Sequence, residues 1–143
     1  MSIWTVIANY FSPLEKWGNP EKLSGFMLLA LNQIRIQTGW RIIIHCAYEK
    51  RKTGGYHPKG EAVDFHFDID NKQILFSEQI LVLLRILENL QLAKFCGLGI
   101  YPDWNNPGFH FDSRGLKSRW GRVNGIYVKW DEILNYVKRM ERK

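Results

Sequence analysis

The chain has 143 residues, 45% of them hydrophobic and 24% charged. That is enough for one domain able to bury about two thirds of its unfolded surface, and the ordinary composition excludes a disordered or low-complexity protein. A net charge of +6 suits an anionic partner, either nucleic acid or an acidic polymer such as bacterial cell wall, or it serves solubility alone. The apolar runs, Ile80 to Leu87 among them, stop well short of the ~18 residues a membrane span needs. The opening MSIWTVIANYFSPLEKW lacks the basic start and long apolar run of a secretory signal. Cys46 and Cys96 make no disulfide framework. They read as small buried apolar residues in a reducing compartment.

In chain order, a short apolar stretch from Ile3 to Phe11 is broken by Ser12-Pro13 and by Gly18-Asn19-Pro20. A helix is expected from about Pro20 to Gln37. Asn19 would cap it, Leu23, Phe26, Met27, Leu31 and Ile34 would form its apolar stripe, and Gly39 would end it. Trp40 to Tyr48 reads as a buried strand and Glu49 to Gly60 as a polar loop. From Ala62 to Asp70 the chain alternates. Val63, Phe65, Phe67 and Ile69 fall on one face, and Asp64, His66, Asp68 and Asp70 on the other.

A second helix is expected from about Ser77 to Lys94, capped by Ser77. Gly97 to Tyr101 and Phe109 to Arg114 read as strands joined by a turn-rich segment, and Val123 to Val128 as a last strand. A final helix from Trp130 to Arg142 carries acid first and base last. Strands and helices do not alternate regularly. The expected class is therefore α+β, a small antiparallel sheet backed by helices, with residues 1–143 as one domain.

The chemistry-bearing residues gather around the histidines. In GGYHPKGEAVDFHFD, His57 ends a loop and Asp64 stands seven positions on, on the outward face of a strand. In FHFD, His110 and Asp112 point opposite to Phe109 and Phe111. Polar rows on two adjacent strands would place two imidazoles and a carboxylate on one sheet face. That is the donor set zinc takes in a catalytic site, whereas Mg²⁺ and Ca²⁺ want more oxygens. His66 shares the face of Asp64 and reads as a polar sheet-face residue, with a supporting contact, a substrate contact or an alternative ligand as other roles. His45, inside WRIIIHCAY, reads as a hydrogen-bonded core histidine.

His57-Pro-Lys-Gly60-Glu-Ala62-Val-Asp64 resembles the HxxGxAxD motif of the M15 zinc peptidases, the D-alanyl-D-alanine carboxypeptidases and phage endolysin peptidases, which share a fold with the zinc domain of hedgehog proteins. Gly97-Leu-Gly-Ile-Tyr-Pro followed by Phe109-His110-Phe-Asp112-Ser-Arg114-Gly resembles that family's second block. The resemblance covers about Phe11 to Trp120. It implies a hedgehog/DD-peptidase-like fold, with His57, Asp64 and His110 as ligands of Zn²⁺.

Many members of that family place a catalytic carboxylate three positions before the last histidine, where this chain has Pro107. Asp103, the nearest upstream carboxylate, is the residue expected to act as general base, with Asp112 either an alternative or an acceptor that orients His110. Arg51, Lys50 and Lys59 are the expected oxyanion cations.

The function the resemblance implies is peptide hydrolysis in peptidoglycan, as an endolysin or a wall-remodelling enzyme. Synthesis would be cytoplasmic, with release to the wall through a separate pore, or the protein would be virion-associated. A non-catalytic zinc-stabilised binding domain is the alternative. Nucleic-acid binding rests on charge alone and is not expected, because the basic residues are scattered.

Overall fold

The structure is a computed structural model and describes residues 2–50 and 54–142. Among the described residues four α-helices, α1 (Ile3–Val6), α2 (Gly25–Thr38), α3 (Phe76–Asn89) and α4 (Trp130–Glu141), accompany six strands. The strands are β1 (Arg41–Cys46), β2 (Ala62–Asp68), β3 (Gly97–Tyr101), β4 (Gly108–Asp112), β5 (Ser118–Val123) and β6 (Ile126–Lys129). They form one sheet in the order β1-β2-β4-β3-β5-β6. The class is α+β, as the irregular succession of elements implies. The sheet is mixed rather than antiparallel, because β5 runs parallel to β3. Both the end of β4 and the start of β5 pair with Gly97, so the link between them passes over the head of β3 and turns β5 into its direction.

The strict alternation of β2 decides which face is which. Val63, Phe65 and Phe67 are buried, as are Phe109, Phe111, Leu98 and Ile100 on the neighbouring strands. These side chains join one core with Met27, Leu31 and Ile34 of α2, Ile80, Leu83 and Leu87 of α3, and Ile133 and Val137 of α4. Full burial of each such side chain stabilises by roughly 1.5–3 kcal/mol before conformational entropy is counted. The opposite face is left to the polar rows.

The second helix ends at Asn89 rather than about Lys94, with Gln91 at φ 60° turning the chain, and three other departures from the sequence expectation each have a local reason. Pro20–Lys22 is only a 3-10 turn capped by Asn19. Leu23 is extended, and α2 starts after Ser24, whose Oγ accepts the Met27 amide. The break lets the Ser24 amide donate to the Gly60 carbonyl at 2.7 Å, which ties the start of α2 to the loop that carries His57. Ser77 does not cap α3. Its amide and hydroxyl both donate to Glu141 at the far end of α4, and the cap position is Leu75. The stretch expected as one strand from Val123 is a hairpin of β5 and β6. Asn124 and Gly125 at its tip have φ of 52° and 77°, the left-handed pair that a two-residue hairpin turn requires. Among the described residues no helix is long and apolar enough to cross a membrane.

Candidate metal centre

The face opposite the core carries a lateral row of functional side chains. Asp64 on β2 is directly opposite His110 on β4, and His110 is opposite Gly99 on β3. His57 comes down on this row from a 3-10 turn, His57–Lys59, that ends at Gly60 with φ of 69°. A side chain at Gly60 would run into the Lys22 carbonyl, so the glycine fixes how closely this turn packs and where His57 hangs.

The structure brings together the three expected ligands. His57 Nδ1–H donates to the Ala47 carbonyl at 2.6 Å, which leaves Nε2 facing Asp64 Oδ1 at 3.4 Å. His110 Nε2–H donates to Asp112 Oδ2 at 2.6 Å, which leaves Nδ1 facing the same Asp64 oxygen at 2.9 Å. Ligands about 2.0–2.1 Å from a tetrahedral zinc lie roughly 3.3 Å apart, so both spacings suit one small ion among these atoms. Each imidazole is fixed from behind by an acceptor, the arrangement that orients a metal-binding histidine and selects its tautomer.

The electrostatics are those of a tightly coupled, largely buried cluster. Burial works against charge on His57, but its hydrogen bond to Asp64, with contributions from Cys46 and the Ala47 carbonyl, raises its pKa to about 9. Burial likewise opposes charge on His110, and hydrogen bonds to Asp112 and Asp64 outweigh it and push the pKa up. At Asp64 burial favours the neutral acid, yet the two imidazoles hold its carboxyl well below the usual range.

Asp112 takes the supporting role that its alternation with His110 allows. It is wholly buried, and it accepts from His110, from the Gly97 amide at 3.2 Å and from Arg114 Nε and Nη2 at 2.8 and 2.7 Å. Burial would raise its pKa, and the Arg114 and His110 hydrogen bonds instead depress it strongly. Glycines at 97 and 99 make this possible. A Cβ at Gly97 would collide with Asp112 and Arg114, and one at Gly99 with the Trp120 ring. The Gly-Leu-Gly spacing thus clears the outer side of β3 for the groups that back and wall the site.

The site opens into a cleft of about 280 Å³ whose floor includes His57, Asp64 and His110. Tyr56, Tyr101, Trp104, Trp120 and Tyr127 wall it, and Arg114 and Arg122 supply positive charge. Tyr101 and Trp104 stack with centroids 4.6 Å apart, and Trp120 lies 5.2 Å from His110.

Asp103, expected as the base, is not brought here. It is exposed, and its Oδ2 accepts the Asn124 amide at 2.7 Å at the hairpin tip. That hydrogen bond fastens Asp103 to the β5–β6 hairpin instead. Of the expected cations, Lys50 is exposed, Lys59 is exposed over the Tyr56 ring, and Arg51 lies outside the described residues. Arg114 and Arg122 line the cleft in their stead. Their signal was weak in the sequence, because Arg122 reaches the cleft only through a hairpin that was not foreseen.

His45 is satisfied but is not a core residue. It is half-buried on the polar face, its Nε2 lies 2.5 Å from His66 Nδ1, and its ring lies 4.9 Å from Trp104. Cys96 is buried as expected, whereas Cys46 is not. The pairing of β1 with β2 slips between Ile44 and Cys46, so Cys46 faces Asp64 instead of following Ile42 and Ile44 into the core. Cys46, His57 and Asp64 place donor atoms within 4.8 Å of one another.

Compared with models of protein families, with curated proteins and with solved structures, the chain matches none.

Proposed function

We propose that the chain is a zinc-dependent peptidase of the M15 kind, with a hedgehog/DD-peptidase-like fold, acting on the peptides of peptidoglycan. The observation that carries this reading is the convergence of His57 Nε2, Asp64 Oδ1 and His110 Nδ1 at the floor of an open cleft, with Ala47 and Asp112 holding the two rings from behind. A zinc ion held by these three supplies Lewis acidity, lowering the pKa of water toward neutrality and polarising a carbonyl.

The remaining work falls to the chain. Asp112 keeps His110 with Nδ1 toward Asp64. Arg114, fixed by Asp112, and Arg122, lying 5.2 Å from the Tyr127 ring, give the cleft a positive field for a peptide carboxylate. The aromatic walls offer flat apolar contact. Wall peptides end in carboxylates, which fits this field and the net charge of +6.

One observation favours the second reading, a non-catalytic zinc-stabilised binding domain. Among the described residues lining the cleft, Asp64 is the only carboxylate, and in this reading it is a ligand. One experiment separates the two readings: digestion of purified peptidoglycan by the zinc-loaded chain, with products read by mass spectrometry. Released stem or cross-link peptides, absent with Asp64→Asn, support the peptidase. Sedimentation with peptidoglycan without release supports the binding domain.

A further inference from the structure

The slip in β1 turns a fourth ligating side chain toward the centre. Without it, Cys46 would follow Ile42 and Ile44 into the core. With it, Cys46, Asp64 and His110 stand in one lateral row across β1, β2 and β4, and His57 descends on them. The Cys46 sulfur lies 4.0 Å from His57 Nδ1, the ring nitrogen held by Ala47, and 3.4 Å from Glu49 Oε2, to which the thiol donates. The cysteine is in no disulfide.

We propose that Cys46 is the fourth ligand of the metal, closing the site in the resting protein. This rests on the metal-centre reading above. Thiolate sulfur is a preferred zinc donor, and a set of one sulfur, two imidazoles and one carboxylate completes a tetrahedron. The donor atoms of Cys46, His57 and Asp64, now within 4.8 Å of one another, would draw in by about an ångström to reach the roughly 3.3–3.6 Å between ligands of a tetrahedral zinc site, with His110 joining through the Asp64 oxygen it already faces. Ligation exchanges the S–H bond for a sulfur–metal bond, and the proton leaves through the Glu49 carboxylate to water. A fourth protein ligand takes the position that water holds in a catalytic zinc site, so peptide release by the zinc-loaded chain requires Cys46 to leave the metal.

X-ray absorption at the zinc edge of the zinc-loaded full chain tests this. The wild type should show one sulfur at about 2.3 Å with nitrogen and oxygen at about 2.0–2.1 Å. Cys46→Ser should show nitrogen and oxygen alone and bind zinc at least about tenfold more weakly, a loss no smaller than that from disturbing a supporting contact. Bound zinc surrounded only by nitrogen and oxygen in the wild type overturns the fourth ligand and leaves the three-residue centre standing. A wild-type chain that takes up no zinc overturns both. Because the wild-type spectrum decides alone, the result does not depend on how well the variant folds.

Discussion

Asp112 receives the outer nitrogen of His110 at 2.6 Å while Arg114 grips the same carboxylate with two donors. The contact fixes which nitrogen of His110 faces Asp64, so a residue that touches no metal decides whether the donor set exists. Asp112→Asn keeps the shape but turns an amide N–H toward either His110 or Arg114. Zinc affinity, measured by competition with a chromogenic chelator, should fall about 10- to 100-fold. Asp112→Ala leaves Arg114 without its partner beside the core and should cost about 3–5 kcal/mol in denaturant unfolding.

Gly99 shows how the sequence clears room for the cleft wall. Its φ is ordinary, so Gly99→Ala tests space rather than backbone strain. The new methyl would lie 2.7 Å from the Trp120 ring, which must shift. A loss of about 1–3 kcal/mol is expected, with altered tryptophan fluorescence as the ring leaves its place over His110.

The pH dependence of the metal-free protein has a defined sign. His57 is raised to about 9 from an unfolded value of about 6.5, so its contribution to stability is complete below about pH 6.5 and is lost as pH rises through 9. Asp64 is depressed, so its contribution is present above about pH 4 and is lost on acidification. With chelator present, the wild-type Tm should decline between pH 6.5 and 9 more steeply than that of His57→Gln. Zinc affinity should move the other way, strengthening over the same interval as the ligands shed their protons. A wild-type Tm profile parallel to that of His57→Gln would contradict the Asp64 contact.

Much of this site was legible in the residues, and what was not has identifiable causes. Period-two alternation put Asp64 and His110 on the outer face because β2 and β4 are regular. The usual burial of free cysteine misplaced Cys46, because one slipped pair turns it to the outer face and leaves no mark in composition. The Asn124-Gly125 tip carries a strong hairpin signal, but reading one strand across it hid both the placement of Arg122 and the partner of Asp103. Ser77 looked like a cap because Ser favours that position. Its pairing with Glu141 spans 64 residues and is set by tertiary packing of α3 on α4.

Asp103 carries a prediction of its own. Held by the Asn124 amide, it secures the hairpin. Asp103→Ala should cost about 0.5–1.5 kcal/mol and leave zinc content unchanged, as measured by unfolding and elemental analysis. Loss of zinc in this variant would return Asp103 to the metal centre.

The most direct measurement is the zinc stoichiometry of the chelator-stripped and reconstituted chain beside Asp64→Asn. One zinc per chain in the wild type, with at least about a hundredfold weaker retention once the shared carboxylate is lost, is the expected result. A wild-type chain without stoichiometric zinc, or one whose zinc survives Asp64→Asn unchanged, would contradict a centre built on His57, Asp64 and His110.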